Sequence, residues 1–208
     1  MECDAVLSLE EQLDLAVETL LTGGIVAFPT DTIYGLGAVF DDIRAVRRIY
    51  QIKSRLPVKA LPLIIADYRQ LEDVARQINH AARCLMDAFW PGPLTLVLAK
   101  SDKVSADITG GLDTVAVRMP NHYVPLQLAK RTGRAICGTS ANISGGRNLL
   151  SAGEIHDELG HGVDFVVTAG EAGSGEASTI VYAADEKLRI IRHGALSSEQ
   201  LNKVCKIN

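Results

Sequence analysis

A four-residue apolar run, Ile25-Val26-Ala27-Phe28, stops at Pro29, and this junction narrows the folds open to the chain. The run suits a buried strand, and proline, which has no N–H, cannot extend the ladder. Past the proline stands Thr30-Asp31-Thr32-Ile33-Tyr34-Gly35-Leu36-Gly37, a mixture of hydroxyls, a carboxylate, a phenol and two glycines. Small polar groups gathered at a strand's end are the makings of a ligand loop on an α/β scaffold. Charge adds a second constraint. Between Ile43 and Ala66 stand Arg44, Arg47, Arg48, Lys53, Arg55 and Lys59 with no acid, in a chain of net charge −4. Such a local excess points to a polyanionic ligand.

The remaining pattern interleaves helices and strands. Ser8 and Glu11 form a capping box for an amphipathic helix over 8–22 that Gly23-Gly24 ends. Asp41 or Asp42 caps a second helix to Gln51; Ile43, Val46, Ile49 and Tyr50 form its core face, and Arg44, Arg47 and Arg48 read as a solvated face. A strand is predicted over 61–66, then a helical region from Asp67 to Phe89 with a break near Asn79, and a rigid turn at Trp90-Pro91-Gly92-Pro93. Further strands are predicted over 94–99, 114–118, 135–137, 165–168, 179–182 and 188–192, with helices over 123–131 and 152–159 and from Ser197. Gly138 to Gly146, G-T-S-A-N-I-S-G-G, is a second small-polar loop at a strand's end. The glycine-rich stretch Ala169–Gly175 reads as a mobile loop. The whole predicts one α/β domain over 1–208, core about 10–195, with an open, twisted, mixed sheet flanked by helices.

Several chemistries lack their signatures. There is no G-x-x-x-x-G-K-[ST], no G-x-G-x-x-G between strand and helix, no H-E-x-x-H, no acidic calcium loop and no G-x-S-x-G. Cys3, Cys84, Cys137 and Cys205 are widely spaced, which argues against a disulfide framework or a structural zinc site. The start, Met-Glu-Cys-Asp, is unlike a signal peptide, and no apolar run approaches the roughly 20 residues of a membrane span. A cytoplasmic protein without a membrane partner is the expectation. Lys53, Arg55 and Lys59, in a loop stiffened by Pro57, are the phosphate-binding candidates, since Arg offers two parallel N–H donors and Lys a point charge. Ser140 and Asn142 gain weight from lying in the second polar loop.

Six segments in order, P-T-D-T-I-Y-G-L-G, K-S-R, W-P-G-P-L-T-L-V-L, T-V-A-V-R-M-P, T-S-A-N-I-S-G and a late S-T-I-V, resemble the YrdC-like family, the threonylcarbamoyl-AMP synthases of tRNA modification. The resemblance covers about residues 10–195 and implies an open twisted α/β sheet around a large, positively charged cavity. It implies a reaction too: L-threonine, bicarbonate and ATP, with Mg2+ carried by ATP rather than by protein ligands, give threonylcarbamoyl-AMP and pyrophosphate. The product would serve a threonylcarbamoyl transferase complex that modifies adenosine-37 of tRNA.

The family's signatures fall on Lys53 and Arg55 and on Ser140 and Asn142, which makes these four the catalytic candidates. Its ATP-binding positions fall on Arg55, Lys59, Thr114, Ser140, Asn148 and Arg192. Its threonine-binding positions fall on Thr32, Ile64 by its main chain, Arg118 for the carboxylate, Gly138 and Ser178. Such a reaction is catalysed by positioning and charge neutralisation, so no nucleophile is required. Asp31 is the candidate for the group that takes the amine's proton. Leu56 stands between Arg55 and Pro57, where the family has proline directly. The chain reads as the short, single-domain form, in which Ala169–Gly175 is the candidate for closing the site. Two other readings remain open at this point: a module binding double-stranded RNA or tRNA on a basic concave surface, and a carbamoyl-transfer module of hydrogenase maturation. Weak RNA binding is compatible with the favoured reading as well.

Overall fold

Helices begin where the sequence supplies caps. The Ser8 hydroxyl accepts from Glu11 N–H while Glu11 reaches back to Ser8 N–H; Asp42, Asp67 and Asn79 also cap later helices with their side chains. The computed structural model describes residues 7–168, 173 and 175–207. In chain order the elements are α1 (Leu9–Leu21), β1 (Val26–Phe28), β2 (Gly35–Val39), α2 (Ile43–Ile52), β3 (Leu63–Ile64), α3 (Tyr68–Val74), α4 (His80–Phe89), β4 (Leu94–Ala99), α5 (Ala106–Thr109), β5 (Thr114–Arg118), α6 (Tyr123–Thr132), β6 (Ile136–Ser140), α7 (Ala152–Leu159), β7 (Phe165–Val166), β8 (Thr179–Tyr182), β9 (Arg189–Arg192) and α8 (Ser198–Asn202).

Among the described residues nine strands form one mixed sheet in the order β7-β1-β2-β6-β3-β5-β4-β8-β9. The pairs β1/β7, β3/β5 and β4/β8 are parallel and the others antiparallel. The interleaved α/β reading therefore holds. One element differs from the sequence reading. The residues after Tyr34 read as part of a loop, but Gly35–Val39 is a strand, antiparallel to β1 with Phe28 opposite Gly35 and Val26 opposite Gly37. The glycines make room: a Cβ on Gly35 would stand 2.9 Å from the Phe28 ring, and one on Gly37 2.7 Å from Ile136 Cγ2. A strand spaced by glycine has no apolar alternation to read, because the partner strand supplies the bulk. Helix α5 has no counterpart in the sequence reading, β3 is shorter than the predicted 61–66, and β6 runs through Ser140, so Gly138–Ser140 belong to a strand. Of the loop expected at Ala169–Gly175, residues 169–172 and 174 lie outside the described residues.

Burial separates the two sheet faces. Leu13, Ala16 and Leu20 of α1 and Val124, Leu128 and Ala129 of α6 pack with Val26, Phe28, Val39, Ile64 and Ile136. Buried residues of the other helices, such as Val46 and Ile49 of α2, Leu85 of α4, Ile155 of α7 and Leu201 of α8, pack on the opposite face against Leu63, Leu96, Val117 and Val181. Helices α1 and α6 thus cover the β7-β1-β2-β6-β3 part of their face. Among the described residues no helix covers the same face of β5, β4 and β8, and there the candidate site lies.

Candidate active site

The cationic loop gets its shape from the end of α2. Ser54 N–H bonds to Gln51 O at 3.0 Å and Arg55 N–H to Tyr50 O at 2.9 Å, with Ser54 at φ 47°. This is the double-bonded left-handed helix stop, built here without glycine. The reversal sends Lys53 and Arg55 apart. Arg55 is held by carbonyls of its own loop, Nε to Lys59 O at 3.1 Å and one η-nitrogen to Ala60 O at 2.8 Å. Lys53 is buried. Its Nζ donates to Ser140 O, to Asn142 O at 2.6 Å and to Asn142 Oδ1 at 3.1 Å. Burial, and then the Arg55 charge, pull its pKa down to about 8.

That ammonium ties the cationic loop to the second polar loop. Asn142 Oδ1 also accepts from Ser140 Oγ at 2.6 Å, and its amide donates to Gly146 O at 2.9 Å and Arg147 O at 3.0 Å. The Ser140 proton is therefore committed, and its oxygen can only accept further. Arg44, Arg47 and Arg48 play another part: Arg47 pairs with Asp107 at 2.8 Å and Arg48 with Asp164 at 3.0 Å, both partly exposed, and Arg44 stands on the exposed side of α2. They form the solvated face anticipated for them.

Arg118 ends β5 nearly buried, and every partner of its side chain is a neighbouring loop. Nε donates to Gly92 O at 3.0 Å, and the η-nitrogens to Thr32 Oγ1 at 3.0 Å and Asp31 Oδ1 at 2.7 Å. A guanidinium has five N–H groups, so two remain for a ligand carboxylate. Asp31 is engaged with Arg118 and does not line the cavity, so it serves to orient the guanidinium. Across the floor, Thr95 Oγ1 and Ser178 Oγ lie 2.8 Å apart, and Arg192 donates to Ser178 O at 2.7 and 3.2 Å and to Ser178 Oγ at 3.2 Å. Gly194 permits this: a Cβ there would stand 2.2 Å from Ala177 O and 2.6 Å from the Ser178 carbonyl carbon. Gly194→Ala is expected to displace residues 177–178 at a cost of about 1–3 kcal/mol, the usual range for overpacking. A urea midpoint equal to that of the wild type would contradict this.

These groups surround one cavity of about 360 Å3. Arg55, Ser140, Asn148 and Arg192, together with Thr32, Ile64, Arg118, Gly138 and Ser178, all line it. The guanidinium at 55 and the hydroxyl at 140 thus share a hollow. Four candidates are elsewhere. Lys53 and Asn142 are buried behind the lining; Lys59 is exposed and contributes its carbonyl to Arg55; Thr114 lies on the β5 face of Ala116 and Arg118 but beyond the lining residues. Sequence reasoning misses Thr30 and Thr95, which also line the hollow. Thr95 carries a signal, as the lone hydroxyl in the apolar run of β4. A second hollow of about 290 Å3, beside Ile52 and residues 156–162, contains no candidate residue. The fully buried Cys137 has its thiol pushed up to about 12 by burial, so it is no nucleophile at neutral pH.

The cavity can hold a carboxylate beside hydroxyls at one end and phosphate oxygens at the other. The family model described as Telomere recombination, carrying the names Sua5, YciO and YrdC, matches residues 18–194. A threonylcarbamoyl-AMP synthase of Pyrococcus abyssi (strain GE5 / Orsay) is 42% identical over 195 residues, 94% of this chain and 57% of that relative. One of Bacillus subtilis (strain 168) is 38% identical over 202 residues, 97% of this chain and 58% of that relative. The chain thus spans less than two thirds of the length of these curated relatives. The crystal structure of P. abyssi Sua5 complexed with L-threonine matches with a TM-score of 0.91 at 40% identity, covering 96% of this chain and 58% of that one. E. coli YciO matches with a TM-score of 0.82 at 25% identity, covering 91% and 92%.

Proposed function

The chain belongs to the Sua5, YciO and YrdC family, and from that premise we propose that it is an L-threonylcarbamoyladenylate synthase, a nucleotidyltransferase. The observation that carries the proposal is the shared cavity. Three guanidinium groups, at 55, 118 and 192, face it with hydroxyls and amides and, among the described residues, with no carboxylate in its lining. The hollow is in this reading positive and suited to two anionic substrates. In this reading the Arg118 N–H groups take the carboxylate of L-threonine, beside Thr32, Ile64, Gly138 and Ser178. Arg55, Arg192, Ser140 and Asn148 take ATP, with Lys59 and Thr114 at its outer reach. Among the described residues the lining offers no carboxylate for Mg2+, and in this reading the ion enters on the triphosphate.

The neutral amine of threonine attacks the bicarbonate carbon, the C–OH bond breaks, and the hydroxide leaves with the amine's proton as water, which gives a carbamate. A carbamate oxygen then attacks the α-phosphorus, and pyrophosphate leaves. The chain's contribution is to fix the two substrates and to neutralise charge, with Lys53 and Asn142 holding the loop that presents Ser140. The product would pass to a transferase complex acting on adenosine-37 of tRNA, in the cytoplasm. Among the described residues no helix is long and apolar enough to cross a membrane. An RNA-binding module is less well supported, because Arg47 and Arg48 are already paired with acids.

The test is to incubate the protein with ATP, Mg2+, bicarbonate and a panel of amino acids. Pyrophosphate is expected far faster with threonine than with valine or alanine, and not above background without an amino acid. Release independent of the amino acid, or none at all alongside salt-sensitive RNA binding, would refute the proposal.

A further inference from the structure

The hydroxyl protons of the cavity floor can be counted. Thr30 Oγ1 donates to Ile33 O at 2.7 Å, so in its 3.0 Å contact with Thr32 Oγ1 it is the acceptor, and Thr32 is the donor. Thr30 Oγ1 also accepts from the N–H groups of Thr32 at 3.1 Å and Ile33 at 3.3 Å, so the Thr32 proton shares that crowded oxygen, and Thr32 accepts in turn from Arg118. The Thr95–Ser178 pair is different. If Thr95 donates to Ser178, then Ser178 accepts from Thr95 and Arg192 and its own proton is left over. If Ser178 donates, the Thr95 proton is left over. In either arrangement one buried hydroxyl proton points at no acceptor among the described residues.

Position gives that proton a purpose. The β4–β5 register pairs Leu96 with Val117, so Thr95 falls opposite Arg118, on the face that lines the cavity. Directly opposed residues of an antiparallel pair have Cβ atoms about 4.5–5.5 Å apart. That spacing fits a ligand whose hydroxyl and carboxylate sit on adjacent carbons. Val97 of β4 and Ile180 of β8, which pairs with Thr95, supply an apolar wall beside the hydroxyls. A single hydroxyl donor against an apolar wall complements a carbon bearing both a hydroxyl and a methyl group.

Resting on the synthase reading, we propose that the Thr95–Ser178 hydroxyl pair reads the side-chain hydroxyl of the amino acid substrate, and that Thr95 is a specificity-determining residue. A site built to bond a hydroxyl discriminates strongly against an analogue that lacks it, because its own polar group is then left unpaired. Val97 and Ile180 hold the methyl and disfavour serine by less.

The experiment measures threonine- and valine-dependent pyrophosphate release for wild type, Thr95→Val, Thr95→Ser and Ser178→Ala, each checked by a thermal melt. Thr95→Val is expected to lower kcat/KM for threonine by roughly 10–100-fold, as for a lost buried hydrogen bond of about 1.5–3 kcal/mol. Its rate with valine should change by less than about threefold, so that the threonine-to-valine ratio collapses. Thr95→Ser should restore the ratio, and Ser178→Ala should lower it, which keeps the proposal open to refutation if Thr95→Val does not fold. An active wild type with an unchanged ratio in the Thr95→Val and Ser178→Ala variants overturns this inference and leaves the synthase reading standing. A wild type without threonine-dependent release overturns both.

Discussion

Replacing Arg118 with methionine is expected to abolish threonine-dependent turnover and, separately, to destabilise the fold. The activity arm comes from the two free N–H groups that would hold the substrate carboxylate. Hydrogen bonds to charged groups are worth about 1.5–3 kcal/mol each, so losing both lowers kcat/KM for threonine by at least about a hundredfold. The stability arm comes from Asp31. Its carboxylate is paired with Arg118 at 2.7 Å, with side chains only 14% and 11% exposed. Removing one partner of a buried pair costs about 3–5 kcal/mol, because the other charge is left uncompensated. The double variant Asp31→Asn/Arg118→Met removes both charges and should recover most of the stability and none of the activity. Urea melts and pyrophosphate release separate the arms. A single variant that melts like the wild type would show that Asp31 does not depend on Arg118.

Lys53→Met is the second large effect, and its arms diverge. The ammonium has three protons and three acceptors, on Ser140 and Asn142. Methionine removes all three bonds but also removes a buried charge, and these two terms oppose each other in stability. The Ser140 loop, however, loses its tie to the cationic loop, and positional errors of about 1 Å can cost a hundredfold in rate. The expected result is a fall of about a hundredfold in kcat with a change of no more than about 2 kcal/mol in unfolding free energy. Alkali should imitate the variant. With a folded pKa of about 8 against the ordinary 10.5, Lys53 deprotonates in the native protein first. Between about pH 8 and 10.5 the unfolded chain binds more protons, so this group adds stability as pH rises. Activity should nevertheless decline through about pH 8, because a neutral amine has only two protons for three acceptors. An activity profile flat to about pH 9.5 in a folded protein would dismiss the anchoring role.

Much of this arrangement is legible in the sequence. Caps at Ser8, Asp42, Asp67 and Asn79 are local, since a side chain bonds a backbone N–H two or three residues on. Strands β4 and β5 are readable from their β-rich apolar runs. Strand β2 is not, because its glycines answer to Phe28 and Ile136 on other strands. The same division runs through the site. Arg55 and Ser140 can be named from residue type and place in the chain and Arg118 through the family resemblance, whereas the role of Lys53 cannot. A lysine beside an arginine reads as a second phosphate ligand until the left-handed turn at Ser54 is seen to send the two side chains to different places.

Residue order alone settled the parts: an interleaved α/β chain, two small-polar loops at strand ends, a cationic loop between them and the family to which they belong. These are local chemistry and local periodicity, carried by residues within a few positions of one another. Three-dimensional packing settled which parts meet. Among the described residues it left one half of a sheet face without a helix, buried the Lys53 ammonium as a tie, paired Asp31 with Arg118 and set Thr95 against Ser178, 83 residues apart in the chain. The reason is physical: strand register and helix coverage are set by contacts between distant segments, and no short stretch of sequence encodes its own partner.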